Sequence, residues 1–398
     1  MSDLPPPFDP GPDAAPGTPT PAPAPPPVPT PTRPVYDGTL AELYGIYFRH
    51  LLLMLLTLGW SRFWGRTRLR RYLWNHFALL GDRFEYRGRG LELMVGFLMV
   101  MAILGAWAGA VWTVWRFALH RQAVPGLGVI DIIFLSIALI GLPLSFVGQY
   151  SGLRYKLSRT RWRGIRCAME GSAWTYGGLA TFLTFVNAIT GRLLTPVVSV
   201  NLARPRIANA RVGTQGFEFA GRAGDIYGRY LGYYFLNILA WLVTLAIVFA
   251  VLGGSIAKLS GGGDLLTLIT HPGPRLVLLL LAVAFGAYTL FGVMILPLRC
   301  WWQAYLFRYL VSHTRAGTVL FTTGITTRQM WGFLVLNYLI IVLSLGLGWP
   351  WVMHRTLRLI AGELWLYGEP DGASIGQPAD RGPRFGEGLL DVFDVSGV

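Results

Sequence analysis

Eight arginines (Arg62, Arg66, Arg68, Arg70, Arg71, Arg83, Arg87 and Arg89) crowd into residues 58–90 against two acids, Asp82 and Glu85. A guanidinium is a planar fork of donors that grips phosphate or carboxylate in pairs. Here the forks alternate with Trp60, Phe63, Trp64, Tyr72, Trp74 and Phe77. Such rings sink to the acyl boundary of a bilayer while basic groups hold headgroup phosphates, each giving about 1 kcal/mol near an anionic surface. The lipid- or anion-binding candidates are therefore Arg66, Arg68, Arg70, Arg71, Tyr72, Trp64 and Trp74. The plainer reading of the same run is a set of topology anchors and salt bridges.

Three acids form the second constellation. Glu42, Glu92 and Asp225 each stand four residues after a glycine (Gly38, Gly88, Gly221), at one repeated place. They read either as ion pairs that fix helix starts, where the helix dipole favours a carboxylate, or as a proton- or cation-coupling set between repeats. Arg154 and Arg308 open further Arg-Tyr pairs. His76 and His313 follow such pairs at matching distances, which suits interfacial hydrogen bonding better than metal ligation. Arg49 and His50 lie inside an apolar stretch, where ionisable groups are functional suspects unless they snorkel. The six histidines form no HExxH pair, and neither GxSxG nor a P-loop occurs. The sequence thus predicts no catalytic residue, no metal and no cofactor, and an enzyme is the weakest reading.

Composition fixes the surroundings. The chain has 398 residues, 53% of them hydrophobic and only 14% charged, where soluble proteins carry about 25% charged residues. Residues 93–115, 132–153, 230–257, 276–298 and 329–353 are apolar runs long enough to cross a hydrocarbon core that takes about 20 helical residues. A net charge of +14 elsewhere suggests nucleic acid, but here the arginines flank the apolar runs as the positive-inside rule expects. Two cysteines, Cys167 and Cys300, exclude a disulfide framework.

The elements that must position these residues repeat. YDGTLAELYGIY (36–47) aligns without a gap on FAGRAGDIYGRY (219–230), and FEYRG (84–88) on FEFAG (217–221). RYKLSRTR (154–161) matches RYLVSHTR (308–315). Each unit reads as a basic helix with Arg-Tyr, a short extended piece ending in glycine, and an acid opening the next helix. Aromatic–glycine marks fall at Tyr36, Tyr86, Tyr176, Phe219, near Thr323 and at Tyr367. Long intervals hold two apolar runs; short ones hold one run broken by glycine, at Thr57-Leu58-Gly59, Thr190-Gly191-Arg192 and Gly346-Leu347-Gly348.

Counting Arg and Lys against Asp and Glu, segments 60–90, 151–171, 201–229 and 299–328 carry +6, +5, +3 and +4, so all four belong in the cytoplasm. Two topologies follow. Either four full spans combine with three helix–turn–helix wedges that enter one leaflet and return, or about seven spans cross with the bias overruled at 201–229. Flanking the membrane domain (35–367), residues 1–34 form a Pro/Ala-rich tail with too little apolar surface to fold. Residues 368–398 form an acidic Gly/Pro-rich tail able to dock a partner.

Thr57-Leu58-Gly59, Trp64, Arg68 and Arg70 with Tyr72, then Gly81, Phe84, Tyr86, Gly88 and Glu92-Leu93 stand in an order that resembles the signature of the YjgN-like bacterial inner-membrane proteins, a domain-of-unknown-function family. The likeness is specific over 36–100 and looser to about 367. It implies a polytopic inner-membrane protein with internal repeats and brings no activity with it. The expectation is an all-α integral membrane protein, a polytopic helical bundle with short extended hairpin pieces at the cytoplasmic interface and both termini cytoplasmic. Its expected partner is anionic phospholipid, not nucleic acid. Two roles fit: a transporter or channel-like protein for a small or lipid-like anionic substrate, or a scaffolding envelope protein holding anionic lipid on its basic face.

Overall fold

The computed structural model describes residues 31–121, 140–260, 273–368 and 376–377. The expected tails, except 31–34, Gly368 and 376–377, lie outside these residues, as do 132–139 of the second apolar run and most of the two turns between long runs.

The chain is built from five units, each a pair of helices followed by a strand hairpin. After β1 (Val35–Tyr36), the first unit is α1 (Leu40–Leu56), α2 (Arg62–Asn75), β2 (Phe77–Leu79) and β3 (Asp82–Tyr86). The second is α3 (Gly90–Arg121), α4 (Leu142–Arg159), β4 (Thr160–Trp162) and β5 (Ile165–Met169). The third is α5 (Ala173–Ile189), α6 (Thr195–Ala208), β6 (Ala210–Val212) and β7 (Gln215–Phe219). The fourth is α7 (Ala223–Ser260), α8 (Pro274–Ser312), β8 (Thr314–Ala316) and β9 (Val319–Thr323). The fifth is α9 (Thr327–Leu343), α10 (Trp349–Glu363) and β10 (Leu364–Tyr367).

All ten strands join one sheet in chain order, and every neighbouring pair is antiparallel. Thr32 and Leu366 then exchange both backbone hydrogen bonds at 2.9 Å, so the sheet closes on itself. The fifth hairpin is thus shared between the two ends of the folded region. This corrects the all-α expectation: helices predominate, but a strand ring binds them together. Two to five residues per strand are too few to stand alone; the sheet gives β2 to β9 two neighbours each, and the Thr32–Leu366 bridge gives β10 its second.

Local chemistry explains the hairpins. Leu80 and Gly81, and Arg163 and Gly164, all have positive φ, as the central residues of a type I′ turn must. Gly213 and Gly317 have φ near +60° and lead Thr214 and Thr318, the pattern of a II′ turn. At the far end of each hairpin the aromatic-x-Gly motif has a packing cause. The ring of Tyr36, Tyr86 or Phe219 folds back over Gly38, Gly88 or Gly221, and a Cβ there would land on it. The third mark is accordingly Met169-Glu170-Gly171, not Tyr176. There the Tyr150 hydroxyl and the Asn209 amide occupy the space above Gly171. Tyr367-Gly368 likewise ends β10 at its turn side, with Gly368 at φ +101° against Thr318.

Helix pairs alternate in length. The short pairs have 17 and 14, 17 and 14, and 17 and 15 residues. Each turns through two left-handed residues: Leu58-Gly59, Gly191-Arg192 and Leu345-Gly346. The apolar run 329–353 is therefore two helices, α9 and α10, and not one span. The next unit covers two of these turns: Tyr230 donates its hydroxyl to the Arg192 carbonyl (2.5 Å) and Tyr47 to that of Gly346 (3.3 Å). Tyr47 and Tyr230 hold the same place in the repeat. Among the described residues, three helices are long and apolar enough to cross a membrane, over Gly90–Thr113, Ala223–Ser255 and Leu276–Ser312, and Phe235, Trp241, Phe249, Phe285 and Val293 on two of them are exposed. Each helix pair leaves the ring and returns to it. The four basic segments, each containing one strand hairpin, therefore lie together at one end.

Gly221→Ala should lower stability by about 1–3 kcal/mol, the usual cost of overpacking, because Phe219 and Tyr309 both hem the site. Gly178→Ala, in an open helical position, should raise it by roughly 0.5–1 kcal/mol. Thermal unfolding in detergent checks both signs.

Candidate functional site

The repeated arginine proves to be a joint. Arg71 donates to the Gly88 carbonyl (3.3 Å), Arg154 to Gly171 (3.3 Å), Arg204 to Gly221 (2.9 Å) and Arg308 to Ile325. Each acceptor lies 17 residues downstream, in the loop between the hairpin and the next helix. In the fifth unit Arg358, six residues before β10 as the others are before their strands, shares a small cleft with Gly38 and Thr39.

The tyrosine that follows the arginine reaches the preceding joint, at the start of the first helix of its own pair. Tyr72 takes the Thr39 amide (2.8 Å), gives to the Thr39 carbonyl (3.2 Å) and reaches the Glu42 carboxylate at 2.7 Å. Tyr309 repeats this with the Arg222 amide (2.6 Å), the Arg222 carbonyl (2.9 Å) and Asp225 (2.8 Å). Tyr155 donates to Glu92 at 2.6 Å, and Arg159 adds a 2.9 Å salt bridge to the same carboxylate. Burial first, and the hydrogen bond to Glu92 second, hold the Tyr155 phenol well above its usual range, so it stays a donor. His76 and His313 close the helices behind these tyrosines. Their Nδ1 atoms lie 2.8 Å from the Tyr72 and Tyr309 carbonyls, and the His and Tyr rings are about 4 Å apart.

The arginine run of 58–90 is thereby split. Arg71 belongs to the joint, and Arg70 is 5% exposed beside the Tyr86 hydroxyl. Arg62 stacks over Phe97 at 4.2 Å. Arg83 pairs with Asp37 and Arg87 with Glu85 on the outer face of β3. Arg68 is exposed and lines a cleft of about 410 Å³ between α1 and α2 with Arg49, His50, Glu42, Gly45 and Tyr72. Trp64 is half exposed against the start of α3, while Arg66 has its own interaction in the same helix. Trp74 points elsewhere, its indole donating to Thr160 Oγ1 at 3.1 Å.

Trp74 looks into a cavity of about 530 Å³ inside the ring, which the sequence did not signal. Phe77, Phe84, Trp162, Phe217 and Phe321 supply aromatic walls, and Cys167, Ala210, Val212, Ala316 and Val319 leave room between them. The Trp162 indole is satisfied by the Leu79 carbonyl at 3.2 Å. Leu153, Lys156, Leu157 and Thr160 line one end from a single helical face of α4 and the start of β4. Strand alternation puts these side chains in and charged ones out, but runs of two to five residues are too short to reveal it beforehand. Arg204 was hidden because Pro205 stands where its counterparts have tyrosine. The constant offset of 17 residues is the signal that finds it.

Against known proteins, the model of a family described as "Bacterial protein of unknown function (DUF898)" matches residues 31–392. No curated protein and no solved structure matches. The match takes in most of the C-terminal tail, beyond the limit of about 367 read from the sequence. Among the described residues no group of three or more His, Cys, Asp or Glu is placed to hold a metal.

Tyr309→Phe should cost about 1–3 kcal/mol by stranding the Arg222 amide, and Asp225→Asn, which keeps an acceptor, should cost less; unfolding midpoints decide. Burial pushes the Cys167 thiol up to about 12. In a Cys300→Ala background, maleimide should therefore modify folded protein at pH 8 roughly a hundredfold or more slower than unfolded protein, because the thiolate is the nucleophile.

Proposed function

The chain belongs to the DUF898 family of bacterial proteins of unknown function, the family of the YjgN-like signature, and on that premise we propose a multi-pass inner-membrane protein that binds and carries lipid-like anionic amphiphiles at the cytoplasmic leaflet. In this reading α3, α4, α7 and α8 are the full spans. The three short helix pairs dip into the near leaflet and return. The strand ring sits at headgroup level on the cytoplasmic side, and both termini are cytoplasmic.

The observation that carries this reading is the chemistry of the short-pair turns. Leu58 is 92% exposed and Leu345 is 93% exposed, with Leu55, Leu56, Leu343 and Leu347 exposed around them; at the third turn Ile189 is exposed beside Arg192. Water penalises such tips, and hydrocarbon does not. Backbone turns at membrane depth need protein partners, and the hydroxyls of Tyr47 and Tyr230 supply them at two of the three. Those tyrosines lie seven residues into α1 and α7, or about 10 Å along the helix, inside one leaflet of a roughly 30 Å core. Four basic segments at the ring end agree with a cytoplasmic face. Arg49 and Arg68 in the α1–α2 cleft are the headgroup contacts we favour, since Arg70 and Arg71 are built into the frame. A carrier is preferred to a scaffold because the ring encloses a lumen for which a scaffold has no use.

Cysteines at Gly213 and Gly317, in the hairpin turns, should be labelled by a membrane-impermeant thiol reagent only from the cytoplasmic side. Cysteines at Leu58 and Leu345 should resist it from both sides. Labelling of position 213 from the periplasmic side overturns the topology. Replacing Arg49 and Arg68 together by alanine should weaken retention of anionic phospholipid roughly thirtyfold, two contributions of about 1 kcal/mol each, with insertion intact.

A further inference from the structure

We propose that the lumen of the strand ring seats one extended hydrocarbon chain, the tail of an amphiphile whose anionic head stays beside Lys156. The inference rests on the reading of the protein as a binder of lipid-like anions, and it adds a site for the tail that is separate from the Arg49–Arg68 cleft.

Protein interiors are close-packed, and voids larger than a water molecule are few. A space of about 530 Å³ within a ten-stranded ring is therefore an unfilled site, of the size that small ligands occupy. Ring geometry agrees, since about eight strands already give a barrel that side chains fill or that holds one small ligand. Chemistry selects the ligand. The walls are aromatic and aliphatic, and the indoles of Trp74 and Trp162 already donate to protein acceptors. The walls thus offer apolar contact and little hydrogen bonding, which suits a methylene chain and excludes a sugar or nucleotide.

Besides Gln215 and Arg211, the latter salt-bridged to Glu170, the lining has one further cation, at one end. Lys156 shares its helical face with Leu153 and Leu157, where α4 meets the ring. It is one of only two lysines in a chain with 34 basic residues. α2, α4 and α10 all contribute to this end, through Trp74, Leu153 and Leu357. We place the entrance at this end, where the three helices run into the strands.

Photolabelling of membranes containing the intact protein with a diazirine-bearing long-chain fatty acid tests this. Adducts should map by mass spectrometry to strand peptides carrying Phe84, Phe217 or Phe321, and a Val212→Trp/Ala316→Trp variant should lose them at least tenfold. Lys156→Gln should reduce strand labelling by the acid at least threefold and leave that by the matching long-chain alcohol unchanged. Adducts on α7 and α8 in the same samples report insertion, so loss on the strands alone is the readout. The map of the unaltered protein decides even if the double variant fails to insert. Adducts confined to the long helices overturn the proposal, as does strand labelling undiminished in the filled variant. Strand labelling that appears only after truncation beyond Gln377 overturns it too, by giving the lumen to the chain's own C-terminal segment. None of these outcomes changes the cysteine labelling that tests the topology, so the two readings fail separately.

Discussion

A guanidinium laid against a loop carbonyl 17 residues downstream holds this molecule in register. In four units the donor is Arg71, Arg154, Arg204 or Arg308. The loop it grips is the point where a strand gives way to the next helix, so each contact fixes the angle between one unit and its successor. A charged donor on a carbonyl shielded from water is worth more than a neutral pair. At two of these helix starts the tyrosine of the pair's second helix, Tyr72 or Tyr309, takes up amide, carbonyl and carboxylate. Helix starts leave several amides without partners, and here the returning helix of the same unit serves the residue that opens the first. Short helices with a few buried residues each can thus form a ring although no unit has a sufficient core of its own. The apolar clusters confirm the division of labour: Leu43, Leu93 and Ile226, one residue after the three acids, are all fully buried at these joints.

Alternating pair length then sorts the units into long and short. The second and fourth carry helices of up to 39 residues, nearly 60 Å at 1.5 Å per residue. The odd-numbered units stop after four or five turns and reverse through two left-handed residues. Because every pair begins and ends on the ring, length can vary without moving the strands. The same joint therefore serves a helix of 39 residues and one of 14. Outer-face pairs such as Arg315–Glu218 and Arg163–Asp82 are partly or largely exposed and add little to stability. They consume charge that would otherwise stand unbalanced around the hairpins.

Much of the joint was legible in the sequence. Arg-Tyr, the glycine after an aromatic residue, and the acid four residues on from that glycine were all visible, because each is a local pattern with a local cause. The breaks in the short pairs were visible for the same reason, since Leu58-Gly59 and Leu345-Gly346 need glycine to turn. The ring was not. Its strands are too short for alternation to show, and its closure joins Thr32 to Leu366 across the whole folded region. The lumen follows from that closure, so Trp74 read as an interfacial ring although it faces inward. Arg204 escaped because the neighbouring tyrosine had become Pro205, and the third glycine mark was misplaced because Met169 had replaced an aromatic residue there.

The shared fifth hairpin sets the order in which the molecule can be made. While the ribosome is still delivering α10, four units have emerged complete, but β9 and β1 each present an unsatisfied edge. Only the emergence of Leu364–Tyr367 lets the last strand reach across and lock the beginning of the chain to its end. A nascent protein of this design stays an open arc, exposed to proteases and to pairing with other arcs, until the final residues of the ring are translated.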